Sequence, residues 1–222
     1  MLNWQGLCVE TFQVKLGRLT KKESRIQNLA SIFETKIKSQ TFEITEKLDG
    51  TSCTFFLDKD EIFHVCSRNI DLKESETNLY WIVARKNQIE EKMRHADMVG
   101  MAIQGEIIGA GIQGNSYKLQ EPTFFVFDMY DSLLAACSGE ESAYCPAHYR
   151  KEIADAMGLQ HVPIAGFFKV NADSTLKDLI TDADGPSAFN AVPREGIVFK
   201  STENPGFSFK VISNDWLLKN KE

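Results

Sequence analysis

Apolar and polar residues along this chain alternate mostly with the period of two that marks half-buried strands. Phe42-Glu43-Ile44-Thr45-Glu46 is one such run, and Cys53-Thr54-Phe55-Phe56-Leu57 follows it as a second. Asp58-Lys59-Asp60 has the composition of a hairpin turn, and residues 61–66 return as a third strand. Residues 101–109 form an apolar strand and 123–130 an aromatic one. In the latter, strict alternation puts Phe125 and Phe127 on one face and Asp128 on the other. Two more strands are expected at 195–200 and 207–212, and an early one at 11–16.

Helical spacing occupies the intervals. Ser24 is placed to cap a helix with Ile26, Leu29, Ile32, Phe33 and Ile37 on one face. Residues 75–94 read as a single amphipathic helix with His95 near its end. Helices are also expected at 147–157, stopped by Gly158, at 174–182, broken by Gly185-Pro186, and at 214–221. The small and acidic stretch 132–146 reads as a loop. Together these elements predict an α+β fold, a single domain over residues 1–222 with antiparallel sheets packed against helices.

Composition narrows the class. The chain has 222 residues, 43% hydrophobic and 25% charged, which suits a protein with a sizeable core. No apolar run approaches the ~20 residues of a membrane helix, and the first residues lack the pattern of a signal peptide. The 5 cysteines have neither metal spacing nor a disulfide pattern. Cys53 and Cys66 fall in strands and read as buried thiols, which implies a reducing, cytoplasmic setting. The net charge of −6 argues against a general polyanion binder but leaves room for a local basic cleft.

The chemistry shows where the strand pattern is violated. Lys47, Arg68, Glu106, Glu195 and Lys210 each put a charge on a strand or strand end that the pattern would keep apolar. Five such positions imply a cleft lined with ionisable groups. Lysine and arginine suit phosphates, carboxylates suit ribose hydroxyls, and aromatic faces suit a base. A nucleotide is the ligand this set predicts. Lys47 stands out because the strand ends there and Asp49-Gly50 turns at once, fixing its backbone as an amine nucleophile requires.

The order of these segments resembles the covalent nucleotidyltransferase superfamily of polynucleotide ligases and messenger-RNA capping enzymes. Glu46-Lys47-Leu48-Asp49-Gly50 is similar to its nucleophile motif and Ser67-Arg68-Asn69 to its ribose-contacting one. Gln104-Gly105-Glu106-Ile107-Ile108-Gly109, Phe125-Val126-Phe127-Asp128, Glu195-Gly196-Ile197-Val198-Phe199-Lys200 and Phe207-Ser208-Phe209-Lys210 match the remaining four. Within the superfamily the likeness is greatest to RNA ligases of the RNA ligase 2-like type. The tail Phe209-Lys210-Val211-Ile212-Ser213-Asn214-Asp215-Trp216 is most similar to the Deinococcus-type branch, RNA ligase 5.

The resemblance implies an ATP-dependent RNA ligase with Mg²⁺ or Mn²⁺ as cofactor. Lys47 would take AMP from ATP, pass it to a 5′-phosphate end, and let a 3′-hydroxyl end displace it. It further implies that Glu46 reads the base, Arg68 and Glu106 grip the ribose, and Phe127 stacks on the adenine. Lys200 and Lys210 would hold phosphate, and Glu195 the metal. The partner would be RNA, or a duplex containing it, met by a monomer without membrane contact and with help from an accessory domain or subunit. Ser208 departs from the pattern, because the family often has a lysine there. So little chain flanks Lys47 and Lys210 that the resemblance covers a bare catalytic domain. A capping-type guanylyltransferase, a DNA ligase and an inactive nucleotide- or RNA-binding module are the alternatives. Labelled ATP against GTP, the sugar required at the 3′ end, and the effect of Lys47→Ala separate them.

Overall fold

The computed structural model describes residues 23–139 and 143–220, so the strand expected at 11–16 lies outside the described residues. Two five-stranded sheets make up the core. The first contains β1 (Ser24–Arg25), β2 (Thr41–Lys47), β8 (Ile164–Lys169), β9 (Gly196–Ser201) and β10 (Ser208–Ile212), in the order β1-β10-β9-β2-β8. The second contains β3 (Thr51–Leu57), β4 (Phe63–Ser67), β5 (Met101–Ile108), β6 (Thr123–Asp131) and β7 (Gln160–His161), in the order β4-β3-β5-β6-β7. All neighbours are antiparallel except the two-residue pairings β1–β10 and β6–β7. The α+β architecture is the expected one.

Each sheet carries its own apolar back. Phe42, Phe199 and Phe209 pack edge-on or stacked behind the first sheet, with Ile26, Phe33, Ile37 and Leu179 over them. Behind the second, Phe55, Ile103, Phe124 and Val126 meet the helices α1 (Leu79–Lys86) and α2 (Ile89–His95). The front faces of the two sheets keep polar residues and enclose a cleft.

Several expectations are corrected. Residues 75–94 form two helices, because Gln88 takes a left-handed conformation (φ 52°) and the Asn87 side chain bonds back to the Val83 carbonyl. Asn78 caps the first by accepting from the Tyr80 and Trp81 N–H groups. The segment after Ser24 winds as a 3₁₀ turn (Ile26–Ile32) and a π turn (Phe33–Ile37), and Ser24 itself is in β1. Ile26, Phe33 and Ile37 are still its buried positions. Within the expected loop 132–146 there is a helix, α3 (Ser132–Ser138), capped by Asp131. The helices α4 (Ala147–Ala156), α5 (Leu176–Thr181) and α6 (Asn214–Asn220) stand where they were expected, and β8 was not foreseen.

Candidate active site

Lys47 closes β2, where it pairs with Gly196 at the start of β9. That register sets the neighbour of Gly196, Glu195, beside the lysine: Nζ of Lys47 donates to Oε2 of Glu195 at 2.7 Å. The turn beyond Lys47 is pinned. Leu48 inserts among Ile108, Tyr117, Phe125 and Val162, and the Asp49 N–H donates to the Tyr117 hydroxyl at 2.6 Å. Gly50 lies against β5 so closely that a Cβ would stand 2.3 Å from the Ile107 carbonyl oxygen. The nucleophile candidate is thus held on both sides.

Opposite, Glu106 on β5 pairs with Ser52 and faces the same cleft, which Arg68 also reaches from the loop after β4. Lys210 enters from β10, and Glu23 lines the cleft as well. Phe127 arrives by a bulge. In the β5–β6 ladder Gln104 pairs with Asp128 and Gly105 with Val126, so Phe127 is the extra residue. The bulge resets the alternation, and Asp128 therefore lines the same cleft as Phe127. This corrects the expectation that Asp128 takes the opposite face. Gly105 makes the bulge possible, since a Cβ there would meet the Phe125 carbonyl oxygen at 2.4 Å.

The cleft has two zones. Lys47, Glu195, Glu106, Arg68 and Lys210 form the first. In the deeper zone Lys200 forms a close ion pair with Asp128, and Arg150 of α4 forms one with Glu43 of β2. Lys200 lies inside β9 rather than at its end, and its ammonium is committed to Asp128. The Arg150 guanidinium is buried; its Nε donates to Nε2 of His161 at 2.9 Å, and Nδ1 of His161 stands 2.7 Å from the Val162 carbonyl oxygen. Burial and the adjacent guanidinium lower His161 to about 4, so it is neutral, accepting at Nε2 and donating at Nδ1. Glu46 accepts from the Ala188 N–H through Oε2 at 2.8 Å, while its buried Oε1 has no hydrogen-bond partner among the described residues. That orphan acceptor at the cleft suits a donor on a bound base.

Electrostatics separate the groups. Burial alone would lower Lys47, but Glu195 and Glu106 outweigh it and leave it above the ordinary lysine value. Lys210 is lowered, by burial first and then by Lys47. Burial lifts Glu195, against the pull of Lys47, and carries Glu106 to about 7. Burial also lifts the thiols of Cys53 and Cys66, both free and buried, so neither is a nucleophile at neutral pH.

Glu46, Lys47, Arg68, Glu106, Phe127, Lys200 and Lys210 all line this cleft, and Glu195 meets it through Lys47. Sequence reasoning missed Arg150 and Glu43. Only the structure shows that Arg150 and Ala154 share the buried face of α4, where an arginine demands a partner.

A family model described as RNA ligase matches residues 40–212. The chain belongs to the RNA ligase family. Among solved structures, the fold is similar to Naegleria gruberi RNA ligase in several states. A mutant with AMP and Mn superposes with a TM-score of 0.81 at 38% identity, covering 90% of this chain and 57% of that one. A mutant with ATP and Mn gives 0.80 at 38%, covering 90% and 58%. The enzyme with PPi gives 0.81 at 38%, covering 90% and 57%. The chain thus spans little more than half the length of these ligases. Among curated proteins no match is found. No helix of the described residues is long and apolar enough to cross a membrane.

Proposed function

We propose that this chain is the adenylyl-transferring part of an ATP-dependent RNA ligase, with Lys47 as the nucleophile. The observation that carries the reading is the Lys47–Glu195 contact at 2.7 Å, inside a cleft that also holds Glu106, Arg68, Phe127 and Lys210. The Naegleria ligase mutants bearing ATP or AMP with Mn support the choice of nucleotide.

In the first step the Lys47 amine forms an N–P bond to the α-phosphorus of ATP, and the bond from that phosphorus to the bridging oxygen breaks, releasing pyrophosphate. The attacking nitrogen must first lose a proton, which Glu195 and Glu106 oppose by stabilising the ammonium. The carboxylates suit a divalent ion only in part. No group of three or more His, Cys, Asp or Glu residues among the described residues is arranged to hold one. A hydrated Mg²⁺ or Mn²⁺ needs only one or two carboxylates if phosphate oxygens and water complete its shell, and Glu195 and Glu106 meet that requirement. Such an ion offsets phosphate charge when bound. Were Glu195 to hold such an ion, Lys47 would lose the partner that keeps its proton.

The remaining residues bind and orient. Phe127 is half-buried in the cleft and offers its ring to the adenine. Glu46 Oε1 accepts from the base amino group, and Glu106, as a carboxylate, accepts from the ribose. Arg68 and Lys210 face sugar and phosphate, with Lys210 stabilising the leaving group. Lys200 acts through Asp128, holding the floor of the cleft beside the Phe127 bulge. The lysyl-adenylate then passes AMP to an RNA 5′-phosphate, and a 3′-hydroxyl displaces AMP to seal the strand. We infer residues 1–222 to be one catalytic unit working as a monomer in the cytoplasm, with an accessory domain or subunit to grip the RNA.

Intact-mass measurement after incubation with ATP and Mg²⁺ tests this. Wild type should gain one AMP and Lys47→Ala none. Protein that starts unmodified and gains nothing would overturn the reading.

A further inference from the structure

Arg68 reaches the nucleotide cleft from a short loop, and among the described residues nothing hydrogen-bonds its guanidinium. Its position therefore depends on the backbone of that loop. The loop leaves β4 at Ser67, whose N–H donates to the Ile70 carbonyl at 2.9 Å, and rejoins the strand where the Leu72 N–H donates to the Val65 carbonyl at 2.9 Å. Between them Asp71 bridges back to Cys66. The side chain that fastens this return is His64, from the same strand. Its Nδ1 lies 2.9 Å from Oδ2 of Asp71, and its Nε2 lies 3.3 Å from Oδ2 of Asp58 in the β3–β4 turn.

We propose that His64 is a positioning residue for Arg68, holding the loop in place by bridging Asp58 and Asp71 while it carries two ring protons. A neutral imidazole has a single N–H and one bare nitrogen, which cannot bond to a carboxylate. Two carboxylates on two ring nitrogens call for the imidazolium. The environment favours that form: Asp71 and then Asp58 raise His64 against its burial. Among the described residues the charges that act most on it are these two carboxylates. Lys59 in the adjacent turn is paired with Asp60, both exposed, and Phe56 of β3, stacked on the ring at 5.9 Å, is uncharged. Cys66 lies beside Asp71 with its thiol kept protonated by burial and by that carboxylate. Asp58 cannot swing away freely, since its Oδ1 accepts from the Asp60 and Ile62 N–H groups at 2.9 and 2.8 Å.

The consequence has a definite sign. The bridge is complete below the raised His64 pKa and loses one of its two bonds as pH rises through it. Nucleotide grip through Arg68 then weakens with rising pH, while deprotonation of Lys47 makes the chemical step faster. His64 is thus read in the affinity for ATP, as a loss opposite in sign to the gain from ionisation of Glu106, which His64→Gln leaves in place, and Lys47 in the rate.

This inference rests on the proposed role of Arg68, and the experiment keeps the two apart. The dissociation constant of a non-hydrolysable ATP analogue with Mg²⁺ is measured from pH 6 to 9 for wild type, His64→Gln, Arg68→Ala and the double variant. Ring-proton NMR follows the His64 titration, and thermal melts confirm folding. Wild type should bind about tenfold more weakly after His64 titrates, the scale of one charge-assisted hydrogen bond. His64→Gln should bind weakly at every pH and lack that inflection, and adding it to Arg68→Ala should change nothing further. If His64→Gln keeps the wild-type profile, or weakens Arg68→Ala as much as wild type, the positioning role is wrong. If Arg68→Ala binds like wild type, the reading of Arg68 fails first and the inference with it.

Discussion

Lys47 and Glu195 lie 148 residues apart in sequence, yet their side chains meet at 2.7 Å. The contact follows from the β2–β9 register, which sets Lys47 opposite Gly196. It also makes the resting lysine a proton-bearing, unreactive one. Adenylylation by wild type should therefore speed up with pH, by about tenfold per unit while Lys47 is mostly protonated. Single-turnover rates at saturating ATP and Mg²⁺ measure this. Glu195→Gln should flatten the slope in the absence of divalent ion and lower the Mg²⁺-supported rate by a hundredfold or more, ~3 kcal/mol.

Glu106 gives a second pH effect. Its folded pKa, about 7, is raised above the ordinary carboxylate value. Between the two values the folded state binds more protons than the unfolded one, so stability falls as pH climbs through that window. Glu106→Gln removes the effect. The variant should melt a few degrees above wild type at pH 8 and close to it at pH 4, while binding ATP more weakly at pH 8. Calorimetric melts at the two pH values check the first outcome and titration with the analogue the second.

The Arg150–Glu43 pair is buried on both sides. Arg150→Ala leaves a carboxylate without its partner and should cost ~3–5 kcal/mol of stability. The double variant Arg150→Met, Glu43→Gln should recover much of that loss, because no bare charge remains. Urea unfolding of the three proteins separates charge from packing.

How much of this was legible in the sequence depended on distance along the chain. Lys47, Glu106, Glu195 and Lys210 were visible because each puts a charge in, at the end of, or next to a strand rich in apolar residues. Asp128 was put on the wrong face because the bulge at Phe127 is created by pairing with Gln104 and Gly105, more than twenty residues earlier. The break at Gln88 escaped notice because the apolar spacing of α1 and α2 is continuous through it, and only the backbone changes hand. β8 was hidden because it is an edge strand with largely exposed residues, Phe167 among them, so it carries no strong alternation. Arg150 lay on a helix, where a single arginine reads as surface.

Gly50 offers a test of how tightly the turn after Lys47 is held. Gly50→Ala would push a methyl into the Ile107 carbonyl and the Ile108 side chain. It should destabilise the protein by ~1–3 kcal/mol and slow adenylylation while leaving affinity for ATP largely intact. Mass spectrometry over time and analogue titration report the two effects separately.

The β2–β9 ladder has one more consequence. Before those two strands zip together, Lys47 is an ordinary solvated amine, with neither the carboxylate that holds its proton nor a cleft in which to meet a triphosphate. The proposed nucleophile site is therefore made by the long-range closure of the chain and does not exist in a ribosome-bound fragment that ends before Glu195. An AMP adduct on Lys47, where the proposed function holds, would then also record folding history: any molecule that carries it had, at that moment, its early and late halves joined.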